Sequence, residues 1–254
     1  MSAPLVTRRG LVLGGALGSA GLLGGCDRIN ADPAVRHLLE GLGSVHKTVQ
    51  RAFLGRTALA QEFSPSQMSP VFRSNGSSDI ADPAYRAHVA QGFANWRLSV
   101  FGLVQRPLLL PLAALQALAQ RSQITRHDCV EGWSAIGKWQ GPQLGAVLAQ
   151  AGLRGEARYI VFHCADRWGT APYYESIDLV DAWHPQTILA WRMNDAPLAV
   201  AHGAPIRLRV ERQLGYKQAK FVMAIEARAS LAGLYGGKGG YWEDARDYQW
   251  YAGI

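Results

Sequence analysis

The sequence contains few cysteines and lacks several common motifs, and each shortage excludes a class of protein. Three cysteines in 254 residues are too few for a disulfide scaffold, so side-chain packing must stabilise the fold. There is no G-x-G-x-x-G loop after a strand, no Walker loop and no basic run interleaved with aromatic residues, which argues against nucleotide and nucleic-acid binding. A mean hydropathy of -0.04 excludes a protein with many membrane-spanning segments.

The chain does contain enough apolar residues to fold. Hydrophobic residues make up 48% and charged residues 18% of the sequence, so we expect a sizeable core and exclude global disorder. The length suits one large domain or two small ones. The formal net charge of +7 favours anionic ligands without indicating nucleic acid.

The first 25 residues have the features of an export signal. Arg8 and Arg9 precede an uncharged stretch of 16 residues, 10–25, which is short for a membrane span of about 20 residues. The paired arginines resemble a twin-arginine signal, and Leu-Gly-Gly before Cys26 resembles a lipobox. We therefore expect a periplasmic protein, lipid-anchored through Cys26, and Asp27 is typical of retention at the inner membrane. A plain signal peptide with an incidental cysteine is the alternative.

The rest of the chain mixes short helices with short strands. Apolar residues at helical spacing predict a helix over 34–61, and a Ser- and Pro-rich loop follows at 64–83. Further helices are predicted at 112–118, 142–151 and 177–183, and strands at 96–104, 123–130, 159–163, 173–176, 187–193, 206–210 and 219–229. No regular βαβ rhythm is present, so the expected fold class is α+β with a mixed β-sheet.

Cys129 follows a predicted strand and is a candidate metal ligand. A thiolate suits thiophilic metals, whereas the absence of C-x-x-C and of clustered histidines argues against a zinc site. A disulfide with Cys164 is the alternative, and it would contribute about 3–4 kcal/mol by chain entropy. A buried, inert thiol is the second alternative for either residue.

Two basic segments downstream are candidates for an anion site. His202 lies in a Gly- and Pro-constrained turn, and Arg207 lies inside the strand that follows. Gly215 opens a turn whose backbone N–H groups, together with Lys217, are suited to an oxyanion. A strand arginine and a basic turn together favour a phosphate, although each alone is also typical of solvated surface charge.

In this order, the segments resemble the molybdopterin domain of the sulfite oxidase family. The resemblance covers residues 71–229 and rests on several short motifs in family order. These are 72–75 (FRSN), 129–134 (CVEGWS), 141–142 (GP), 174–177 (YESI), 184–190 (HPQTILA), 193–194 (MN), 202–207 (HGAPIR) and 215–217 (GYK). It implies a signal peptide at 1–25, an N-terminal helix and loop at 26–70, the molybdopterin-binding domain at 71–229 and a C-terminal tail packed on that domain at 230–254.

The resemblance implies a molybdenum–molybdopterin cofactor. Cys129 matches the cysteine that binds molybdenum in the family, and it would be both metal ligand and catalytic residue. The other matching positions are polar residues that contact the pterin or its phosphate: Asn75, His202, Arg207, Lys217, Gln218 and Lys220. The reaction implied is two-electron oxygen-atom transfer at a Cys-ligated molybdenum centre.

Departures from the family pattern bear on the substrate. Residues 130–133 (VEGW) replace the Gly-Asn-Arg-Arg type sequence of sulfite-oxidising members. They are similar to the corresponding residues in the bacterial periplasmic branch of the family, which includes the catalytic subunit of protein-methionine-sulfoxide reductase. That branch, however, has Ala at the position of Gly132 and Asn at the position of His202. Reduction of an S- or N-oxide is therefore expected. Sulfite-type oxidation and a metal-free, lipid-anchored binding protein are the alternatives.

The resemblance also bears on partners and on the mouth of the site. No haem-attachment motif is recognised, so electrons would come from a separate haem or quinone-linked protein. No dimerisation domain of the family's usual kind is recognised, so a monomer is expected. Trp133, Trp168 and Arg126 are candidates for the mouth, with core packing as the alternative for the tryptophans and surface charge for Arg126.

Overall fold

The computed structural model describes residues 32–254. The predicted signal segment 1–25 and Cys26 lie outside the described residues. The chain divides into two compact units, one up to Val49 and one from Gln50 to Ile254, and all the sheets lie in the second.

The α-helices are short except for the first. They are α1 (Pro33–Leu54), α2 (Pro83–Ala90), α3 (Leu112–Ala117), α4 (Leu144–Ala151), α5 (Leu179–Ala182) and α6 (Tyr241–Arg246). Single 3₁₀ turns occur at Pro65–Gln67, Val200–His202 and Gly215–Lys217. Over the described residues, no helix combines the length and the apolar character needed to cross a membrane.

Eleven strands form three sheets within the described residues. They are β1 (Arg97–Gly102), β2 (Leu108–Pro111), β3 (Gln120–Asp128), β4 (Ser134–Pro142), β5 (Tyr159–Trp168), β6 (Ala171–Asp178), β7 (Ile188–Ala190), β8 (Arg192–Met193), β9 (Ala196–Pro197), β10 (Arg207–Arg209) and β11 (Val222–Arg228). The largest sheet has the order β2-β1-β11-β5-β6, a second has β3-β4-β8-β9, and β10 pairs with β7. Because β1 and β11 are parallel while their other neighbours are antiparallel, the predicted α+β fold with a mixed sheet is confirmed.

The first helix ends earlier than the apolar pattern predicts. It stops at Leu54 rather than at residue 61, because Gly55 adopts a left-handed φ of 72° and donates its N–H to the Arg51 carbonyl at 3.1 Å. This is the common glycine termination of a helix.

No strand is predicted at β4, because glycines and polar residues interrupt its apolar pattern. The structure shows why the glycines are there. A Cβ at Gly141 would lie 2.0 Å from the Leu189 carbonyl oxygen, and one at Gly137 would lie 3.0 Å from the Phe72 ring. Both glycines therefore permit close approach of neighbouring chain. β4 then places the fully buried Trp139 beneath the strands that carry the basic residues.

The main core joins the largest sheet, α4 and the two-stranded sheet. Its fully buried members include Leu98, Leu144, Ile160, Leu208 and Ile225. Packing of this one cluster explains how the fold is stabilised without a disulfide.

The C-terminal tail, residues 230–254, contributes both apolar and polar side chains to the interior. Leu234 packs with Val161 and Tyr174 in a small separate cluster. Glu243 in α6 is fully buried, and Asp244 accepts a hydrogen bond from the Tyr174 hydroxyl at 2.5 Å. The tail therefore supplies buried polar groups as well as surface cover.

Candidate functional site

A cavity of about 340 Å³ opens where β3 ends. The sequence predicts seven site residues for the cofactor, and six of them line this cavity: Asn75, Cys129, His202, Arg207, Gln218 and Lys220. They come from the loop before α2, the end of β3, β10 and the two turns that flank it. The structure thus brings together residues that span 146 positions of sequence, from 75 to 220.

Cys129 presents its thiol to the cavity at the first residue after β3. Its N–H donates to the Trp133 carbonyl at 2.9 Å, and its carbonyl accepts from Gly132 at 3.0 Å, which closes a tight turn. Gly132 has a φ of 86°, a conformation that favours glycine and explains this residue locally. The Asn75 amide donates to the Cys129 Sγ at 2.9 Å. Cys129 is 8% exposed, so the sulfur is held in place and yet accessible from the cavity.

The predicted alternative of a disulfide is not realised. Cys129 and Cys164 are both free thiols. Cys164 lies on β5, opposite Val222, and packs against the main core rather than lining the cavity. Its role in the sequence analysis was open, and its position indicates packing.

His127 stands behind Cys129 and is held neutral. Arg209 donates to its Nδ1 at 3.0 Å, and an arginine can only donate, so this nitrogen accepts. Burial, followed by the charges of Arg209 and Arg207, lowers the pKa of His127 well below its usual value. Arg209 is itself fixed by a fully buried ion pair with Glu211 at 2.5 Å.

Two cations at the cavity have no carboxylate within ion-pair distance among residues 32–254. Arg207 donates to the carbonyls of His202 and Gln218, both at 3.2 Å. Burial and the neighbouring Arg209 lower the pKa of Arg207 to about 9. Lys220 donates only to backbone carbonyls, including that of Asn75 at 2.7 Å, and burial and Arg207 lower its pKa to about 7.

The polar lining also contains unused hydrogen-bonding atoms. Arg207 Nε and Gln218 Oε1 are buried without a partner in the described part of the chain. Buried polar atoms are normally satisfied, so the free Arg207 Nε next to uncompensated positive charge indicates a missing anionic acceptor, whereas Gln218 Oε1 lacks a donor. A single accessible thiol, two cations and free hydrogen-bonding groups together fit a pterin with a metal-binding end and an anionic tail.

The structure corrects the role given to the Lys217 side chain. Its Nζ lies 2.6 Å from Glu175 and 2.5 Å from Glu243, all three side chains are fully buried, and Lys217 is absent from the cavity lining. Glu175 and Glu243 already pair with the Lys217 ammonium group. The positive charge at this turn therefore comes from Lys220, while Lys217 anchors the tail.

Of the three residues predicted at the mouth, two are there. Trp133 and Trp168 line the cavity, and Trp168 is 40% exposed. Arg126 does not line it, because it points to solvent and pairs with Asp128 at 2.9 Å. This is the surface-charge alternative.

The sequence analysis missed several lining residues. Arg73 stands within the quoted 72–75 motif, so proximity to Asn75 was an available signal. Phe72 packs its ring against four others, those of His127, Trp133, Trp139 and His202. The aromatic residues Tyr173, Tyr216, Trp242 and Tyr248 also line the cavity, and no local pattern marks the last two, since they lie in the tail.

Comparison with known proteins supports the same family. The model of the oxidoreductase molybdopterin-binding domain matches residues 86–232. A putative protein-methionine-sulfoxide reductase subunit, YedZ1, of Azospira oryzae is 37% identical over 237 residues, which cover 93% of this chain and 84% of that protein.

More distant relatives match part of their length. The catalytic subunit MsrP of protein-methionine-sulfoxide reductase from Xanthomonas axonopodis pv. citri is 32% identical over 58% of this chain, and the match covers 49% of that protein. The sulfane dehydrogenase SoxCD of Paracoccus pantotrophus has a TM-score of 0.49 at 21% identity, over 54% of this chain and 39% of that one. The motif resemblance is confirmed: the chain belongs to the family of oxidoreductases with a molybdopterin-binding domain and is a molybdenum cofactor-dependent enzyme.

Proposed function

We propose that the chain reduces an organic S-oxide by two-electron oxygen-atom transfer. The overall reaction is R₂SO + 2 H⁺ + 2 e⁻ → R₂S + H₂O, with the electrons delivered by a separate haem or quinone-linked protein. The observation that carries the proposal is the free Cys129 thiol, which faces a cavity lined by uncompensated cations. The choice of an S-oxide is supported by two relatives that are named as protein-methionine-sulfoxide reductase subunits, one of them putatively.

The residues of the chain have separable roles in this proposal. Cys129 would hold the molybdenum through its thiolate, and the hydrogen bond from Asn75 orients the sulfur. Arg207 and Lys220 would bind the anionic tail of the pterin, and Gln218 Oε1 would accept a hydrogen bond from an N–H of the pterin. When bound, the cofactor supplies the two-electron exchange and the oxygen transfer.

Replacing the thiolate tests the proposal directly. Cys129→Ser should lower viologen-linked reduction of a methyl sulfoxide at least about 100-fold, more than loss of a mere supporting contact costs. Cys164→Ser is the matched control, because it removes the other described thiol outside the cavity, and it should retain activity. Full molybdenum-dependent turnover by Cys129→Ser would disprove the ligand assignment.

The alternatives give different results on the same purified protein. Absence of molybdenum and of pterin fluorescence, in protein from a host that makes and exports the cofactor, would favour a metal-free binding protein. Turnover with sulfite and an electron acceptor, without sulfoxide reduction, would favour sulfite-type oxidation.

We also propose that the chain is exported and anchored to the periplasmic face of the inner membrane as a monomer. The paired Arg8 and Arg9 and the lipobox-like sequence before Cys26 support this. Changing both arginines to Lys should retain the protein in the cytoplasm. Cys26→Ser should instead release it into the soluble periplasmic fraction, and unchanged membrane association would contradict the anchor.

A further inference from the structure

One side of the cavity is a row of four aromatic side chains that starts in the turn packed on the end of β3. The turn begins at Gly215, where a Cβ would lie 2.5 Å from the His127 Nε2 and 3.3 Å from the Asp128 carbonyl. Only glycine allows this approach. The next residue, Tyr216, lines the same cavity as Cys129 and begins what we call the aromatic row: Tyr216, Tyr248, Trp242 and Trp168.

Contacts between neighbouring rings connect the row from Tyr216 to Trp168. The ring centroids of Tyr216 and Tyr248 are 5.0 Å apart, those of Tyr248 and Trp242 are 5.8 Å apart, and those of Trp242 and Trp168 are 5.2 Å apart. All four side chains line the cavity. The row thus forms a continuous aromatic wall of the cavity from Tyr216 to the partly exposed Trp168.

The middle of this wall is supplied by the tail and is held rigidly. The Tyr216 hydroxyl donates to the Gln249 carbonyl at 2.6 Å, immediately after Tyr248. Glu243, immediately after Trp242, is fully buried in its ion pair with Lys217. Both contacts fix rings of the row before any ligand binds, and preorganised aromatic groups bind at low entropic cost. Trp242 and Tyr248 lie beyond residues 86–232, which match the family model.

The chemistry of the wall complements an organic substituent. Aromatic faces and edges bind apolar groups and divalent sulfur favourably, whereas they offer nothing to a small inorganic oxyanion. The cations Arg207 and Lys220 belong to the proposed pterin contacts, so the aromatic row is available to the substrate. We infer that Trp242 and Tyr248 are specificity-determining residues, and that the aromatic row receives the organic substituents of the S-oxide. This inference rests on the proposed function.

Two sulfoxides of different size test the inference. The assay is viologen-linked reduction of methyl phenyl sulfoxide and of dimethyl sulfoxide by the holoenzyme, normalised to molybdenum content. Trp242→Ala should lower kcat/KM for methyl phenyl sulfoxide about tenfold, mainly through KM, because one aromatic contact with its buried area is lost. For dimethyl sulfoxide the change should stay below about threefold, since it has little apolar surface to place on the wall.

Matched variants separate specificity from general damage. Trp183→Ala removes another partly exposed indole that does not line the cavity, and it should leave both substrates unchanged. Trp242→Phe should retain most of the discrimination, and Tyr248→Leu should repeat the loss if Trp242→Ala binds too little cofactor. Equal losses on both substrates, or none, would overturn the inference. A wild-type enzyme that contains molybdenum but reduces neither sulfoxide would instead contradict the proposed function, and the inference with it.

Discussion

Lys217 and Lys220 lie three residues apart in one basic turn, and their surroundings are opposite. Lys217 is enclosed by the carboxylates of Glu175 and Glu243, at 2.6 and 2.5 Å. Burial disfavours its charge, but the two carboxylates outweigh burial and raise its pKa. Lys220 has backbone carbonyls as partners, and burial together with Arg207 lowers its pKa to about 7.

The difference shows how a structural cation can be distinguished from a binding one. A buried charge that the protein neutralises itself stabilises the fold as long as its partners remain. A buried charge that is left without a counter-ion costs stability until a ligand provides one. By this criterion Lys217 connects the tail to the domain, whereas Lys220 and Arg207 have the surroundings expected of the proposed anion site.

The largest effect is expected from removing the neutralised lysine. Lys217→Met would leave the buried, negatively charged pair of Glu175 and Glu243 without a cation, so the free energy of unfolding of the apoprotein should fall by about 3–5 kcal/mol. Lys220→Met should cost only about 1 kcal/mol, because the loss of its hydrogen bonds is offset by removal of an uncompensated charge. Urea denaturation of both apoproteins measures the difference.

A double variant tests whether the loss of stability comes from the carboxyl groups that are left without a cation. Adding Glu243→Gln to Lys217→Met removes one of the two carboxylates and should recover part of the lost stability. Equal stability of the two single lysine variants would show that the charges of Lys217 and Lys220 do not differ in their effect on the fold.

The second effect concerns the cofactor rather than the fold. Arg207→Met should reduce the molybdenum and pterin content of the purified enzyme about tenfold or more, because a charge-assisted bond to an anion contributes about 1.5–3 kcal/mol. Arg126→Met is the control, since Arg126 is an exposed arginine that pairs with Asp128 outside the cavity. Normal cofactor content in Arg207→Met would place the anionic tail elsewhere.

Much of this site could be predicted from patterns of neighbouring residues in the sequence. The turn after β3, the strand that carries Arg207 and the glycine turn at Gly215 each follow from a few neighbouring residues. The family motifs assigned Asn75 and Cys129 to contacts with one cofactor, and in the structure the two side chains lie 2.9 Å apart.

What the sequence did not predict depends on partners far along the chain. Nothing near Lys217 shows that Glu243, 26 residues later, neutralises it, nor that Trp242 turns back onto the cavity. Strand β4 was missed because its glycines serve contacts with Leu189 and Phe72, which no local pattern records. Long-range packing, rather than propensity, decides these features.

The third effect is a pH dependence of the apoprotein that arises from Lys220. Its pKa is lowered to about 7 in the folded chain, against an ordinary value near 10.5, so the unfolded chain binds more protons between these values. The stability of the wild type relative to Lys220→Met should therefore rise with pH between about 7 and 10. Arg207 disfavours the lysine charge and Asp166 favours it, and both remain in the variant.

The same measurement on the cofactor-loaded enzyme tests whether Lys220 contacts the anion. An anion bound at Lys220 would restore its charge, so the pH dependence should largely disappear in the holoenzyme. A slope that is the same in the apo and holo forms would mean that Lys220 does not contact the anion.

The smallest effect is expected at Glu175, on the neutralised side of the comparison. Its Oε1 and the Oε2 of Glu243 lack hydrogen-bond partners in the described structure, and a Cβ at Gly240 would lie 2.6 and 2.1 Å from them, so the two oxygens converge. Burial, followed by the charge of Glu243, raises the pKa of Glu175 well above its usual value, although Lys217 opposes this. The folded cluster therefore retains one proton, with one lysine charge balanced by one carboxylate.

A proton that the folded state retains makes stability fall as the pH rises above the ordinary carboxyl value of 4.5. Glu175→Gln imitates the protonated form and is insensitive to that rise. Its stability relative to wild type should therefore improve between pH 5 and pH 7. Glu226→Gln, in the partly exposed pair with His163, is a control outside the cluster. If the difference between Glu175→Gln and wild type were independent of pH, both glutamates would be ionised, and Lys217 would neutralise only half of the charge that surrounds it.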